Sequence, residues 1–285
     1  MRILVTGAAG RLGSQLVTTL NARNHEVIGC DTGEFDIADF HATKTAISDI
    51  KPDLVIHPAA WTDVEGCAQD PEKAVLINGF GTQHVALAAA AVGAAMMYIS
   101  TNEVFDGSAI RPYREYDVTH PINPYGYSKW VGEQALMHIN PRHYIVRIAW
   151  MFSHGGKNFV QSILAAAAAN KPLRVVLNEV ANPTYTNDAA QAIAALAETE
   201  RFGIYHFVNE GACSRFEFAR YVLDRAGYAD THIEPISASE WKRLSTPPTY
   251  AAMENCAGKL LGITLRPWQQ AVDAFLERER STSHS

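Results

Sequence analysis

The chain has 285 residues, 47% of them apolar and 19% charged, with a formal net charge of −6. That length allows one large α/β domain or two smaller ones around a substantial core, and the acidic balance, with no basic run, argues against a nucleic-acid or anionic-membrane binder. Cys30, Cys67, Cys213 and Cys256 stand far apart with no C-x-x-C pair or Cys/His cluster, which points away from a disulfide framework or a zinc site and towards a reducing, cytoplasmic compartment.

A first strand is expected at 3–6 (ILVT), followed by Gly7, Gly10 and Gly13 and a helix from Ser14. Glycines at this G-x-x-G-x-x-G spacing permit a tight turn, close backbone approach to a pyrophosphate and close helix–strand packing, while the helix N-terminus offers N–H donors to the anion. The second strand, EVIGC (26–30), ends at Asp31, near the distance at which an acidic residue binds the adenosine ribose hydroxyls. Arg11, followed by Leu12, lies inside the glycine loop where it could pair with a 2′-phosphate. Asp31 favours NAD and Arg11 favours NADP, so the expected cofactor is NADP or NAD.

A helix over HATKTAISDI (41–50), a strand over DLVIHPA (53–59), a helix from near Glu72 to Ala91 and a strand over MMYIST (96–101) complete a βαβαβαβ order. That order calls for a parallel, doubly wound sheet with helices on both faces. His57 ends an apolar strand with no carboxylate or second histidine at a suitable spacing, and is read as a hydrogen-bonded core residue. MRILVTGAAG reaches its glycines too soon for a signal-peptide core, and the longest uncharged apolar run, Val85 to Ile99, is too short to span a membrane. No membrane segment is expected.

Next come YGYSK (125–129) and the strand HYIVRIAW (143–150). Tyr125 and Lys129, four apart, share one helix face, and an ammonium beside a phenol favours the phenolate. Thr101 ends the preceding strand, where such folds place their crevice, with Ser100 as the alternative hydroxyl. From about Met151 the strands shorten (LRVVL, IYHFVN, HIEPIS) between helices NFVQSILAAAAANKP, NDAAQAIAALAET, SRFEFARYVLDRAGY and RPWQQAVDAFLERER. The expected division is a nucleotide-binding core at 1–150 and a smaller, mainly substrate-binding lobe at 151–285, some of whose segments return to the main sheet. The tail STSHS is expected to be disordered.

TGAAGRLG, FDI (35–37), HPAAWTDVE (57–65), ISTNEVFDG (99–107), YGYSK, RIAW (147–150) and NPTY (182–185) occur in the order found in extended short-chain dehydrogenase/reductases. More closely, the chain resembles the dTDP-4-dehydrorhamnose reductase family, from Met1 to near residue 276. The resemblance implies an α/β fold, with a Rossmann-type core and a smaller C-terminal substrate lobe. It also implies NAD(P)H-dependent reduction of the C4 ketone of a nucleotide sugar, dTDP-4-dehydro-L-rhamnose to dTDP-L-rhamnose. Carried residue by residue, it makes Tyr125 the proton donor, has Lys129 lower the pKa of Tyr125 and hold the nicotinamide ribose, and has Thr101 orient the carbonyl.

The same resemblance puts Asp36 and Ile37 beside the adenine, and Ala59, Ala60 and Thr62 along the ribose and pyrophosphate. Asn78 becomes a helix or proton-relay partner. Val64, Glu103, Trp150, Asn158 and the Asn182-Pro183-Thr184 loop turn towards the substrate, with Arg266 at its diphosphate. The implied partner is the nucleotide sugar, bound by a monomer or homodimer.

Two departures stand out. The family's S-T-D-Y-V-F reads Ser100-Thr101-Asn102-Glu103-Val104-Phe105, placing an acid where the family tyrosine contacts the sugar. The family's V-D-x-A-E reads Val64-Glu65-Gly66-Cys67-Ala68, and Ser14-Gln15 stands where some members carry a glutamate. These losses remove acids that a dimer-linking magnesium would use, and no metal is expected. Glu103 keeps open an extended enzyme acting on a different nucleotide sugar as epimerase, dehydratase or reductase. A third reading is an NADP-binding regulatory subunit resembling the β subunit of methionine adenosyltransferase.

Overall fold

The computed structural model describes residues 1–156 and 158–282. The chain opens with β1 (Arg2–Thr6), α1 (Arg11–Asn21), β2 (Glu26–Cys30), α2 (Phe40–Ile50) and β3 (Leu54–His57). Next come α3 (Val64–Gln69), α4 (Pro71–Ala74), a π-helical turn (Val75–Phe80), α5 (Gly81–Ala91) and β4 (Ala95–Thr101), then a 3-10 turn (Asn102–Val104), α6 (Pro124–Ile139) and β5 (His143–Ile148). The remainder carries β6 (Met151–Phe152), α7 (Phe159–Ala168), β7 (Leu173–Val176), β8 (Val180–Ala181), β9 (Thr184–Tyr185) and α8 (Thr186–Ala197). It ends with β10 (Gly203–His206), β11 (Cys213–Ser214), α9 (Arg215–Ala226), β12 (Ile233–Ile236), α10 (Ala257–Leu260) and α11 (Trp268–Thr282).

Six strands form one sheet in the order β2-β1-β3-β4-β5-β10, and every pairing in it is parallel. All residues of β3 and β4 are buried, as strands covered by helices on both faces must be. Side chains alternate between two cores. Ile3, Val5, Ile56, Met97 and Val146 pack with α1 and α8, whereas Leu4, Val55, Met96, Tyr98 and Ile145 pack with α2, α5 and α6. Each large apolar side chain removed from water in this way contributes about 1.5–3 kcal/mol. The strand order reverses at β1, so the crevice opens beyond the carboxyl ends of β1 and β3.

The expected helices and long strands are present, with differences at their ends. α1 begins at Arg11 rather than Ser14, because Gly10 supplies the extended N-cap. The helix expected from Glu72 to Ala91 is α4, a π turn and α5, whose extra residue per turn brings buried Asn78 inward. By length and composition, Pro71–Ala91 is long and apolar enough to cross a membrane, but half of it is buried within the protein. The short strands β6, β8, β9 and β11, two residues each, carry no alternation that a sequence reading could detect. Ser281 and Thr282 of the tail expected to be disordered continue α11, and 283–285 lie outside the described residues.

Beyond β5 the chain builds smaller layers. β6 pairs with β9 and β8 with β11, beside an aromatic cluster of Phe152, Tyr185, Phe218, Trp268 and Phe275, and β7 pairs with β12 over a separate cluster of Ile163, Leu173, Val175, Leu223 and Ile233. β10 leaves that region to add the sixth strand to the main sheet, beside β5.

Candidate active site

One cavity of about 840 Å³ runs across the carboxyl ends of the parallel strands, from the glycine loop to Trp150. At its first end Gly7 adopts φ +61°, a left-handed conformation that glycine adopts without steric cost. A side-chain carbon on Gly13 would lie 2.0 Å from the Gly7 carbonyl oxygen; only glycine lets α1 pack this closely under the loop. α1 has no side-chain N-cap and no acid in its first turn, so its N–H groups and positive dipole end face the cavity unopposed.

Asp31 closes this end. Its carboxylate accepts from the backbone N–H of Ala9 at 2.8 Å and of Thr32 at 3.1 Å, so it holds the loop as well as lining the cavity. Arg11, Leu12, Asp36, Ile37, Ala59, Ala60 and Thr62 line the same cavity. Every residue expected at the cofactor therefore borders one continuous space.

The other end is built by β4 and α6. Asn123 caps α6, its Oδ1 accepting from Gly126 N at 2.8 Å, and Pro124 follows in the first turn. Proline is favoured there because its missing N–H is not needed. This cap carries Tyr125 and Lys129 to the cavity beside Thr101, which ends β4. The Thr101 hydroxyl accepts from Glu103 N at 3.2 Å and lies 3.3 Å from Asn102 Oδ1. Gly126 fits beneath the Glu103 carbonyl, where a side-chain carbon would approach to 2.0 Å. Ser100, buried beside Thr101, has a hydroxyl with no protein partner.

Burial governs the charges. It brings Lys129 down to about 7, opposed by Glu133 and then by Cys67, and the Lys129 ammonium lies 4.2 Å from the centre of the Tyr98 ring. The Tyr125 phenol is pushed up, first by burial and then by Glu103, against the Thr101 hydroxyl. This corrects the expectation that Lys129 makes it easier to deprotonate: desolvation outweighs any help from the ammonium. The Glu103 carboxyl is also raised by burial, opposed by a 2.7 Å hydrogen bond from Asn123 Nδ2.

Of the residues expected at the substrate, Val64, Thr101, Glu103, Tyr125 and Trp150 line the cavity. Trp150 does so with φ +38°, and the Arg215 guanidinium stacks 4.1 Å from its ring. Asn158, Asn182 and Arg266 are not brought there. Asn158 caps α7 and donates to Ser153 O at 2.8 Å. Asn182 is buried between Gly211 O and the Met253 backbone. Arg266 forms a two-pronged pair with Asp188 at 2.9 and 2.6 Å, beside a separate cavity of about 360 Å³. Their side chains are committed to caps, turns and an ion pair.

His57 is fully buried between the hydroxyls of Thr6, at 2.7 Å, and Thr82, at 3.3 Å, and burial lowers it to about 3. Asn78 clamps the backbone of Trp61 at 2.7 and 3.0 Å and donates to Ser128 Oγ at 2.9 Å. The sequence reading missed Trp61 and Lys73, which stack at 4.8 Å on the cavity wall, and the cap at Asn123. Asn-Pro before YGYSK is an N-cap signature that could have revealed the last of these; Lys73 carries no such signal. Among the described residues no group of three or more His, Cys, Asp or Glu side chains could hold a metal ion.

The family description RmlD substrate binding domain matches residues 1–281. The chain is 36% identical over 282 residues to the spore coat polysaccharide biosynthesis protein SpsK of Bacillus subtilis, covering 99% of each chain. It is 36% identical to a dTDP-4-dehydrorhamnose reductase of Streptomyces griseus, covering 95% of this chain and 91% of that one. Among solved structures, dTDP-4-dehydrorhamnose reductase of Bacillus anthracis in complex with NADP aligns with a TM-score of 0.92 at 32% identity, covering 97% of this chain and 99% of that one.

Proposed function

Because the chain belongs to the RmlD substrate-binding family, we propose that it reduces the C4 ketone of a nucleotide-activated deoxysugar with NAD(P)H, converting dTDP-4-dehydro-L-rhamnose to dTDP-L-rhamnose. The observation that carries this reading is the meeting of Thr101, Tyr125 and Lys129 in the cavity that the glycine loop opens. Its residues fit a dinucleotide: Gly7 and Gly13 leave room for a close backbone approach, α1 presents an uncapped N-terminus, and Ser100 offers a buried hydroxyl without a protein partner.

When bound, the dinucleotide supplies a hydride to the carbonyl carbon. Tyr125 gives its proton to the carbonyl oxygen as charge develops there, and the Thr101 hydroxyl hydrogen-bonds that oxygen. The raised Tyr125 phenol suits this direction, because a donor must hold its proton at the pH of turnover. Lys129 binds the nicotinamide ribose and places positive charge behind the phenol. Asp31, Asp36, Ile37, Ala59, Ala60 and Thr62 hold the adenosine and pyrophosphate half, and Val64, Glu103 and Trp150 border the sugar.

Glu103 favours a second reading, a different 4-keto nucleotide sugar. A carboxyl beside Tyr125 with one oxygen on Asn123 accepts hydrogen bonds from the sugar where a tyrosine would donate one.

The test follows loss of reduced-nicotinamide absorbance with NADPH and with NADH, using enzymatically prepared dTDP-4-dehydro-L-rhamnose, and identifies the sugar product. Wild type should form dTDP-L-rhamnose, and Tyr125→Phe should lower kcat by about 10²–10⁴-fold with cofactor binding retained. No turnover with either cofactor, despite tight binding of one, would refute the assignment.

A further inference from the structure

One helical turn along α6 from Lys129 lies a buried ion pair that the reaction as described does not use. Glu133 and Arg147 are 0% and 2% exposed. Arg147, on β5, donates Nε–H to Glu133 Oε1 at 2.9 Å and Nη2–H to Oε2 at 2.7 Å. The arginine also lies 5.1 Å from the centre of the Phe105 ring and 3.4 Å from His206 Nε2. Burial holds His206 near 3, so it is neutral at the pH of turnover and adds no charge.

Glu133 is one helical turn beyond Lys129 on α6, and Arg147 reaches its carboxylate from β5 with two hydrogen bonds. Of the two charges, the Glu133 carboxylate is the one that acts on the Lys129 ammonium. The other groups around the ammonium are the Tyr98 ring from β4, Cys67 from α3 and the neutral His57 from β3. None supplies a carboxylate, and among the described residues Lys129 forms no salt bridge. A buried lysine in such surroundings tends to lose its proton, and Glu133 is the largest influence that opposes the loss.

We propose that the Glu133–Arg147 pair is a positioning device for Lys129: its carboxylate end keeps the ammonium charged inside the protein, and Arg147 fixes that carboxylate so that it steers Lys129 without capturing it. This rests on the reading of Lys129 as the group that binds the nicotinamide ribose and supports Tyr125. Neither residue of the pair lines the cavity, and the pair acts through Lys129 alone.

A buried ion pair replaced by a neutral pair of similar volume often leaves stability little changed, which makes the test clean. Glu133→Gln combined with Arg147→Met removes the carboxylate without stranding a charge. The experiment measures kcat/KM against pH for wild type, this double variant and Lys129→Met, alongside an NMR titration of isotopically labelled lysine. In the double variant the alkaline limb and the Lys129 titration should both move towards acid by about one pH unit, while the low-pH plateau stays near wild type. Glu133→Gln alone leaves Arg147 uncompensated and, where it folds, should move both further in the same direction; Glu133→Leu combined with Arg147→Met, a second neutral pair, serves as the second variant if the first folds poorly.

An unmoved limb in either folded variant, with Lys129→Met inactive, would overturn the inference and leave the catalytic reading standing. A lower plateau with an unmoved limb would overturn it too, since a merely structural pair gives that result. Full turnover by Lys129→Met would overturn the catalytic reading and this inference with it.

Discussion

Gly126 shows how much one residue can decide. It follows Tyr125, and its missing side chain lets α6 rest against the Glu103 carbonyl; an added carbon would sit 2.0 Å from that backbone oxygen. Real carbons do not approach so closely, so Gly126→Ala must part the end of β4 from the start of α6. That separates Thr101 from Tyr125. Misplacement of about 1 Å at reacting groups costs on the order of 10²-fold in rate, and kcat of the alanine variant should fall by about that factor while NADPH binding, set mainly by the distant glycine loop, changes far less. Activity within about twofold of wild type would show that the strand end yields without consequence. The pattern Tyr-x-x-x-Lys was legible in the sequence, but its second residue looked like an ordinary spacer.

At the scale of elements, two strands end on buried histidines, β3 on His57 and β10 on His206. Both are lowered by burial to about 3 from an ordinary 6.5. As pH falls below the ordinary value, the unfolded chain takes up protons that the folded one refuses. The stability these residues contribute is thus complete above that value and is lost as pH drops towards the folded pKa. Each adds up to about 1.4 kcal/mol per pH unit to the slope. Urea midpoints should fall between about pH 7 and about pH 5, and His57→Gln should reduce that slope by one histidine's share; an unchanged slope would show that His57 does not titrate this way.

The long elements were legible because each obeyed one period. β4 is buried throughout and apolar from Ala95 to Ile99, as a strand covered on both faces must be, and the helix at Arg215–Ala226 announces itself by a Ser214/Glu217 capping box and a left-handed Gly227. The two-residue strands were not legible, because their pairing is imposed by tertiary neighbours. The π turn at Val75–Phe80 was invisible for a related reason: its signal is where Asn78 points, towards the Trp61 backbone and Ser128. The glycine-loop end of the cavity is built from consecutive residues after β1, β2 and β3, and its lining could be read directly. The Trp150 end is assembled from distant segments, and Asn158, Asn182 and Arg266, expected there, are committed to a cap, a turn and an ion pair.

For the whole molecule, Arg266 separates a guess by resemblance from a placement by packing. Its guanidinium grips Asp188, which also accepts from Asn209 Nδ2 at 2.8 Å, and so ties the segment before α11 to the first turn of α8. Arg266→Ala should lower stability by about 1–3 kcal/mol, because Asp188 is left partly buried without its partner, and should leave KM for the nucleotide sugar within about twofold. A tenfold rise in KM with unchanged stability would mean that the arginine reaches the substrate in turnover.

The sixth strand also bears on how the protein is made. β5 is complete at Ile148, but the strand that covers its free edge, β10, ends only at His206. A ribosome adding about 5–20 residues per second needs several seconds to supply the missing segment. Throughout that interval the emerging sheet ends in an open strand, His143–Ile148, whose side chains are almost all destined for burial. An uncovered apolar strand edge is a template for pairing with other chains. Slow translation between these two points lengthens the time in which a nascent chain is open to chaperone capture or to aggregation with its neighbours, whereas a pause that comes once His206 has emerged from the ribosome leaves β10 free to close the edge.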